Sequence, residues 1–192
     1  MPLTLAVLKA ATLAVLLQLP PHWSDRDELP ADRGARLDGI ADDIAFAALE
    51  RPPGWSAVGL AAGLLNIGER ESHWARYVGA GCTVRPRNPD TGKLAPDCDH
   101  GRAHTYWQLW NVACPALVKE TPGSRSEQVV ATRCAIAHFI RSFKRCSAVD
   151  ADELVGAYAG YRSMCFIVAD TRDRAKTHAR YRDRLRVALQ QR

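Results

Sequence analysis

Leu60, Leu64, Ile67, Glu71 and Trp74 stand 4, 3, 4 and 3 residues apart, and on a helix that spacing makes one continuous stripe. Four of the five are apolar, so the stripe faces a core and carries a carboxylate with it. At a core boundary desolvation is expected to disfavour the charged form of such a carboxylate. A carboxyl that keeps its proton near neutral pH is what a general acid needs. Glu69 lies two residues back, about 200° around the helix, and is expected to point to the opposite side. His73, four residues from Glu69, is expected to pair with it on the surface. The plainer reading is that Glu71 only marks the edge of the stripe, and this segment alone leaves both readings open.

Segments downstream bear on that choice. Glu71-Ser72-His73 closes an apolar helix. Gly101-Arg102-Ala103-His104-Thr105-Tyr106-Trp107-Gln108-Leu109-Trp110 is a glycine-containing turn followed by a glutamine between apolar residues. Gly156-Ala157-Tyr158-Ala159-Gly160-Tyr161 follows it. Each motif is short and weakly specific by itself, but the three stand in order. Together they resemble the goose-type lysozyme and soluble lytic transglycosylase family, whose catalytic E-S signature the first matches and whose A-Y-N-A-G segment the last is similar to. The resemblance runs from Ala57 to Arg162, a little over half of the chain. Three positions depart from the family pattern: Ala159 replaces an asparagine, Thr105 a common glycine, and Trp107 a methionine or other aliphatic residue.

The resemblance implies a mainly α (α+β) fold, a lysozyme-like helical domain with a small β-hairpin or loop element beside an active-site cleft. It implies cleavage of the β-1,4 bond between N-acetylmuramic acid and N-acetylglucosamine in peptidoglycan by a single catalytic glutamate, Glu71. The acid would protonate the glycosidic oxygen as an oxocarbenium-like transition state forms. In a lytic transglycosylase it then takes a proton from the sugar's own C6 hydroxyl, closing a 1,6-anhydro ring. In a lysozyme water attacks instead, and Asp97 and Asp99 are the candidates for an assisting second carboxylate. Gln108 would hydrogen-bond the substrate and Tyr158 would orient Glu71 or touch the sugar, with Ser72, Tyr106 and Trp107 also expected at the substrate. Trp55, Trp74, Trp107 and Trp110 fit either a core or a sugar-stacking groove. No cofactor and no metal is implied, and the expected partner is the glycan strand, bound by a monomer. A non-catalytic lysozyme-like module of a secretion or phage assembly is the alternative from another class.

The composition agrees with one enzyme-sized domain. A chain of 192 residues, 47% hydrophobic and 24% charged, is globular rather than disordered and large enough for a sizeable core. From Asp170 to Arg192, seven arginines and one lysine face three aspartates, which accounts for the whole net charge of +5. That tail has no Gly or Pro and reads as a solvated terminal helix docking Tyr181, Leu185 and Leu189 on the core. No nucleic-acid recognition motif accompanies the charge, so no nucleic-acid partner is expected. A metal-dependent wall hydrolase is disfavoured because the chain has no H-E-x-x-H.

Six cysteines, Cys82, Cys98, Cys114, Cys134, Cys146 and Cys165, form no C-x-x-C pair. An even count in a small basic chain favours disulfides and an oxidising compartment, periplasmic, extracellular or otherwise at the cell envelope, phage delivery included. Fifteen pairings are open, but the turn-rich run of Pro, Asn, Asp and Gly between Cys82 and Cys98 suggests that those two bracket one loop. The rival set of Cys98, His100, His104 and Cys114 has no common zinc spacing.

The elements that must position these groups read as helices joined by loops. Residues 1–28 hold an apolar segment that is an atypical signal, a membrane-associated anchor or a core helix. The last is preferred because Lys9 inside it would be costly in lipid, and residues 29–192 then form the catalytic domain with a basic C-terminal helix. A helix is expected near Ile40 to Glu50, ending at the Pro52-Pro53-Gly54 breaker. Ser124 to Glu127 reads as a capping box opening a helix through Ile136, Ile140 and Phe143. Asp150 and Glu153 open another that carries Leu154, Tyr158 and Tyr161.

Overall fold

The computed structural model describes residues 2–51, 54–98, 103–110, 113–146 and 169–191. It is mainly helical, at 65% helix with almost no strand.

Helix α1 (Leu5–Leu17) starts where the Thr4 hydroxyl accepts the Val7 N–H at 3.4 Å. Its face of Leu8, Ala11, Thr12, Val15 and Leu16 is buried against α2 (Pro30–Leu49) and the C-terminal helix α6 (Ala169–Gln190). Lys9 fits in this apolar run because it turns outward to Asp38 at 2.9 Å and Asp42 at 3.6 Å. The hydrogen bond to Asp38 is the main reason its pKa is raised. Among the described residues no helix is long and apolar enough to cross a membrane.

Helix α2 begins ten residues before the Ile40 expected from sequence. Pro30 at its first turn costs nothing there, since its missing N–H would have been unpaired anyway. The early turns carry one large apolar residue, Leu37, among charges and glycines, which hides their helical period. The later turns bury Ile40, Ala41, Ile44, Ala45 and Ala48.

Helix α3 (Ala57–Ser72) is central, packing on α2 and α6 and touching α5 (Arg125–Cys146). A short helix α4 (Arg76–Gly79) follows, then the loop that the Cys82–Cys98 disulfide closes. Within it Asn88 Oδ1 accepts the Asp90 and Thr91 N–H groups at 2.8 and 2.9 Å, a side-chain turn that suits asparagine. Next come two short antiparallel strands, β1 (Ala103–His104) and β2 (Leu109–Trp110), paired Ala103 to Trp110 and His104 to Leu109.

A second disulfide, Cys114–Cys134, ties the 3-10 turn Pro115–Lys119 to α5, with Cα atoms 5.7 Å apart. The two bridges are compatible with an oxidising compartment. They also occupy both thiols of the rival metal set, Cys98 and Cys114. Cys165 and the side chain of Cys146 lie outside the described residues.

The start of α5 is a variant of the expected capping box. Ser124 Oγ accepts the Glu127 N–H at 3.1 Å, while Glu127 Oε2 reaches back one residue further to the Gly123 N–H at 2.6 Å. Ile136 and Ile140 are buried with Phe139; the side chain of Phe143 lies outside the described residues. On α6 Tyr181 and Leu185 are buried, Leu189 packs at the core edge, and buried His178 donates from Nε2 to the Gly59 carbonyl at 3.1 Å. The helix expected from Asp150 to Tyr161 lies outside the described residues.

Candidate active site

The stripe on α3 is buried as its spacing predicts: Leu60, Leu64, Ile67 and Trp74 are each 5% exposed or less. Glu71 sits on the last turn, half-buried. Glu69 turns to α6, where Arg180 Nη2 donates to its carboxylate at 3.1 Å, and Arg70 beside it pairs with Asp173. His73 therefore has no ion pair with Glu69. Its ring instead stacks on His22, with centroids 5.9 Å apart and planes 18° apart.

What ends α3 is an unusual turn. His73 and Trp74 both take left-handed φ values, 50° and 57°, a conformation that costs a non-glycine residue energy and persists only when its surroundings enforce it. Several contacts do so. Ser72 Oγ donates to the Gly68 carbonyl at 2.7 Å and accepts the Trp74 N–H at 3.2 Å. The Trp74 indole lies on Gly68, where any Cβ would overlap the ring. Arg36 Nη1 donates to the Trp74 carbonyl at 2.7 Å. The Arg76 N–H, just beyond the turn, donates to Asp25 Oδ2 at 2.9 Å.

Arg36 is the hub of this region. Its Nε and Nη2 meet the two oxygens of Glu28 at 2.7 and 2.6 Å, a two-pronged geometry that only arginine makes. Asp25 lies 3.5 Å away on the same side. Burial alone would lower the guanidinium pKa, but Glu28 and Tyr106 together raise it. The Arg36 hydrogen bond in turn holds Glu28 below the usual carboxylate range.

The segment of the second motif packs against this turn. Tyr106 and Trp107 lie on Trp74 with ring centroids 5.7 and 5.4 Å away, the latter edge-on. Tyr106 also fills the space over Gly79, where a Cβ would strike its hydroxyl, and burial pushes its pKa up. Thr105 and Gln108 take left-handed φ values of 56° and 48°, and Gln108 Nε2 donates to the Thr105 carbonyl at 3.0 Å.

Three residues expected at the substrate, Ser72, Tyr106 and Trp107, are buried by this packing. Trp107 is 1% exposed and its Nε1–H is used by Thr132 Oγ1 at 3.0 Å, so it has no ring face for a sugar. Tyr106 is likewise in the core. Ser72 is buried and its hydroxyl is spent on the helix end. The type of an aromatic residue does not tell a core from a platform. Of the remaining residues, Glu71 and Gln108 are half-buried, and Asp97 is half-buried next in sequence to Cys98 of the Cys82–Cys98 bridge. Asp99 and Tyr158 lie outside the described residues.

Sequence reading missed the Arg36–Glu28–Asp25 cluster and the half-buried aromatic group of His22, Trp23 and Tyr77. No local spacing signals either. A narrow notch opens beside them, lined in part by Pro20, Pro21, His22, Asp25, Arg33 and His73. Among the described residues no three His, Cys, Asp or Glu side chains converge as metal ligands. No protein-family model, curated protein or solved structure matches the chain.

Proposed function

We propose that the protein is a peptidoglycan-cleaving lytic transglycosylase of the lysozyme-like type, with Glu71 as its one catalytic carboxyl. The observation that carries this reading is the meeting of the first two motif segments: the turn two residues past Glu71 is packed by Tyr106 and Trp107 at 5.7 and 5.4 Å, next to Gln108. On this reading the two short strands on either side of Gln108 serve as the β element of the cleft. A rigid helix end is a suitable mount for a general acid, because small displacements from the productive geometry are costly in rate.

In this mechanism Glu71 protonates the glycosidic oxygen and the bond to the muramic sugar breaks. The same carboxylate then accepts the proton of the C6 hydroxyl as that oxygen closes onto the anomeric carbon. One carboxylate suffices because the attacking hydroxyl is tethered to its own sugar, so its effective concentration is high. Peptidoglycan places the site of action in the periplasm or outside the cell, as the disulfides allow.

Mass spectrometry of the muropeptides released from purified peptidoglycan tests the reading. Anhydromuramic ends are expected. Only reducing ends, one water heavier, would replace it with a lysozyme-type hydrolase, and an unaltered polymer would replace it with a non-catalytic module.

A further inference from the structure

Four aromatic rings from three separate parts of the chain meet beside the α3 turn. The His22 ring lies 4.9 Å from Trp23, 5.9 Å from His73 and 6.3 Å from Tyr77, centroid to centroid. Unlike Tyr106 and Trp107, none is sealed in the core: His73 is exposed and the other three are half-buried. The His22 ring is also held in place. His22 Nδ1 accepts the Ser24 N–H at 3.2 Å, and Ser24 Oγ donates to buried Asp25 at 2.7 Å. His22 Nδ1 also lies 2.8 Å from Ser24 Oγ, a contact whose donor depends on the imidazole tautomer. Burial lowers the His22 pKa, His73 adds to the lowering and Asp25 opposes it.

We propose that His22, Trp23, His73 and Tyr77 form a saccharide-binding platform that seats one sugar ring of the glycan strand next to Glu71. This rests on the proposed function and names a subsite for it. Pre-positioned aromatic rings offer broad apolar contact at little entropic cost, and the apolar C–H face of a pyranose fits that surface. The notch alongside has Arg33 and the imidazoles of His22 and His73 on its wall, polar groups that suit hydroxyl and acetamide substituents. His73 caps the helix whose last turn carries Glu71, so both belong to the same helix end. The left-handed φ of His73 then has a use: the imidazole that follows it stacks on the His22 ring.

The test is calorimetric titration with a soluble N-acetylglucosamine oligosaccharide on the Glu71→Gln protein, where binding is read without turnover. Adding Trp23→Ala or Tyr77→Ala should raise Kd about tenfold, the factor carried by 1.4 kcal/mol. Trp23→Phe, which keeps a ring, should bind within about twofold of the parent, and Val187→Ala, on the C-terminal helix, should match it. A thermal melt of each variant separates lost binding from lost folding. Unchanged Kd in a folded Trp23→Ala protein, or no saturable binding by the parent, overturns the platform. Wild-type protein that cleaves peptidoglycan while Trp23→Ala binds and cleaves normally overturns the platform and keeps Glu71. Protein that binds through Trp23 but never cleaves keeps the platform and overturns the catalytic reading.

Discussion

Arg36 on α2 donates from Nη1 to the carbonyl of Trp74, 38 residues away and three past Glu71, at 2.7 Å. The same guanidinium holds both oxygens of Glu28, so one side chain couples α2, the 3-10 turn Trp23–Asp25 and the end of α3. The region around the proposed acid is rigid because of contacts made across the chain, and each can be removed singly.

Replacing Arg36 by Met leaves Glu28 and Asp25, whose side chains are each 2% exposed, without their counter-charge. Breaking a buried ion pair from one side costs about 3–5 kcal/mol, and chemical denaturation should show a loss of that order. Arg36→Lys should recover little of it, since an ammonium cannot span two oxygens and a carbonyl at once. A loss below about 1 kcal/mol for Arg36→Met would place the network among ordinary surface pairs.

Gly68→Ala separates packing from propensity by sign. In a helix interior alanine is favoured over glycine by about 1 kcal/mol, so an unhindered site would gain stability. Here the new methyl would overlap the Trp74 indole. We expect a net loss of roughly 1–3 kcal/mol, with a change in tryptophan fluorescence as the ring is displaced. A more stable variant would refute the close contact.

Asp43 gives a pH signature. Burial pushes its pKa up from 3.8 to about 6, against the lowering by Arg125. The folded state therefore holds the Asp43 proton more tightly than the unfolded chain does. Stability from this group is fully present below about pH 4, falls as pH rises through the window to about 6, and is constant above it. Relative to Asp43→Asn, the wild type should lose up to about 3 kcal/mol across that window. A wild type that gains on the variant as pH rises would mean that Arg125 outweighs burial.

Glu71→Gln should abolish glycan cleavage with the fold intact, at a loss of about 10²–10⁴-fold for a general acid. Glu69→Gln should keep most activity, because that carboxylate is turned to Arg180. A loss of less than about tenfold for Glu71→Gln would remove it from the mechanism.

Peptide mapping without prior reduction should recover Cys82 linked to Cys98 and Cys114 to Cys134. Opening either bridge by a Cys→Ser pair should cost roughly 2–5 kcal/mol. Free thiols at all four positions would exclude both the bridges and the oxidising compartment that they fit.

The sequence by itself determined what is local. The stripe that ends in Glu71 and Trp74, the Ser124–Glu127 cap, the loop between Cys82 and Cys98 and the docking face of Tyr181 and Leu185 are each written within one helix or one loop, where period and turn chemistry act. The early turns of α2 escaped because Leu37 stands alone among charges. The motif residues were also visible, but not their surroundings. Trp107 and Trp23 are the same residue type, and burial is a property of what packs on them: Trp74 and Thr132 meet one, while the other stays half-open beside His22. The Arg36–Trp74 contact and the His22–His73 stack join residues 38 and 51 positions apart. Only tertiary packing brings such groups together, since neither member of either pair carries a local signal for its partner.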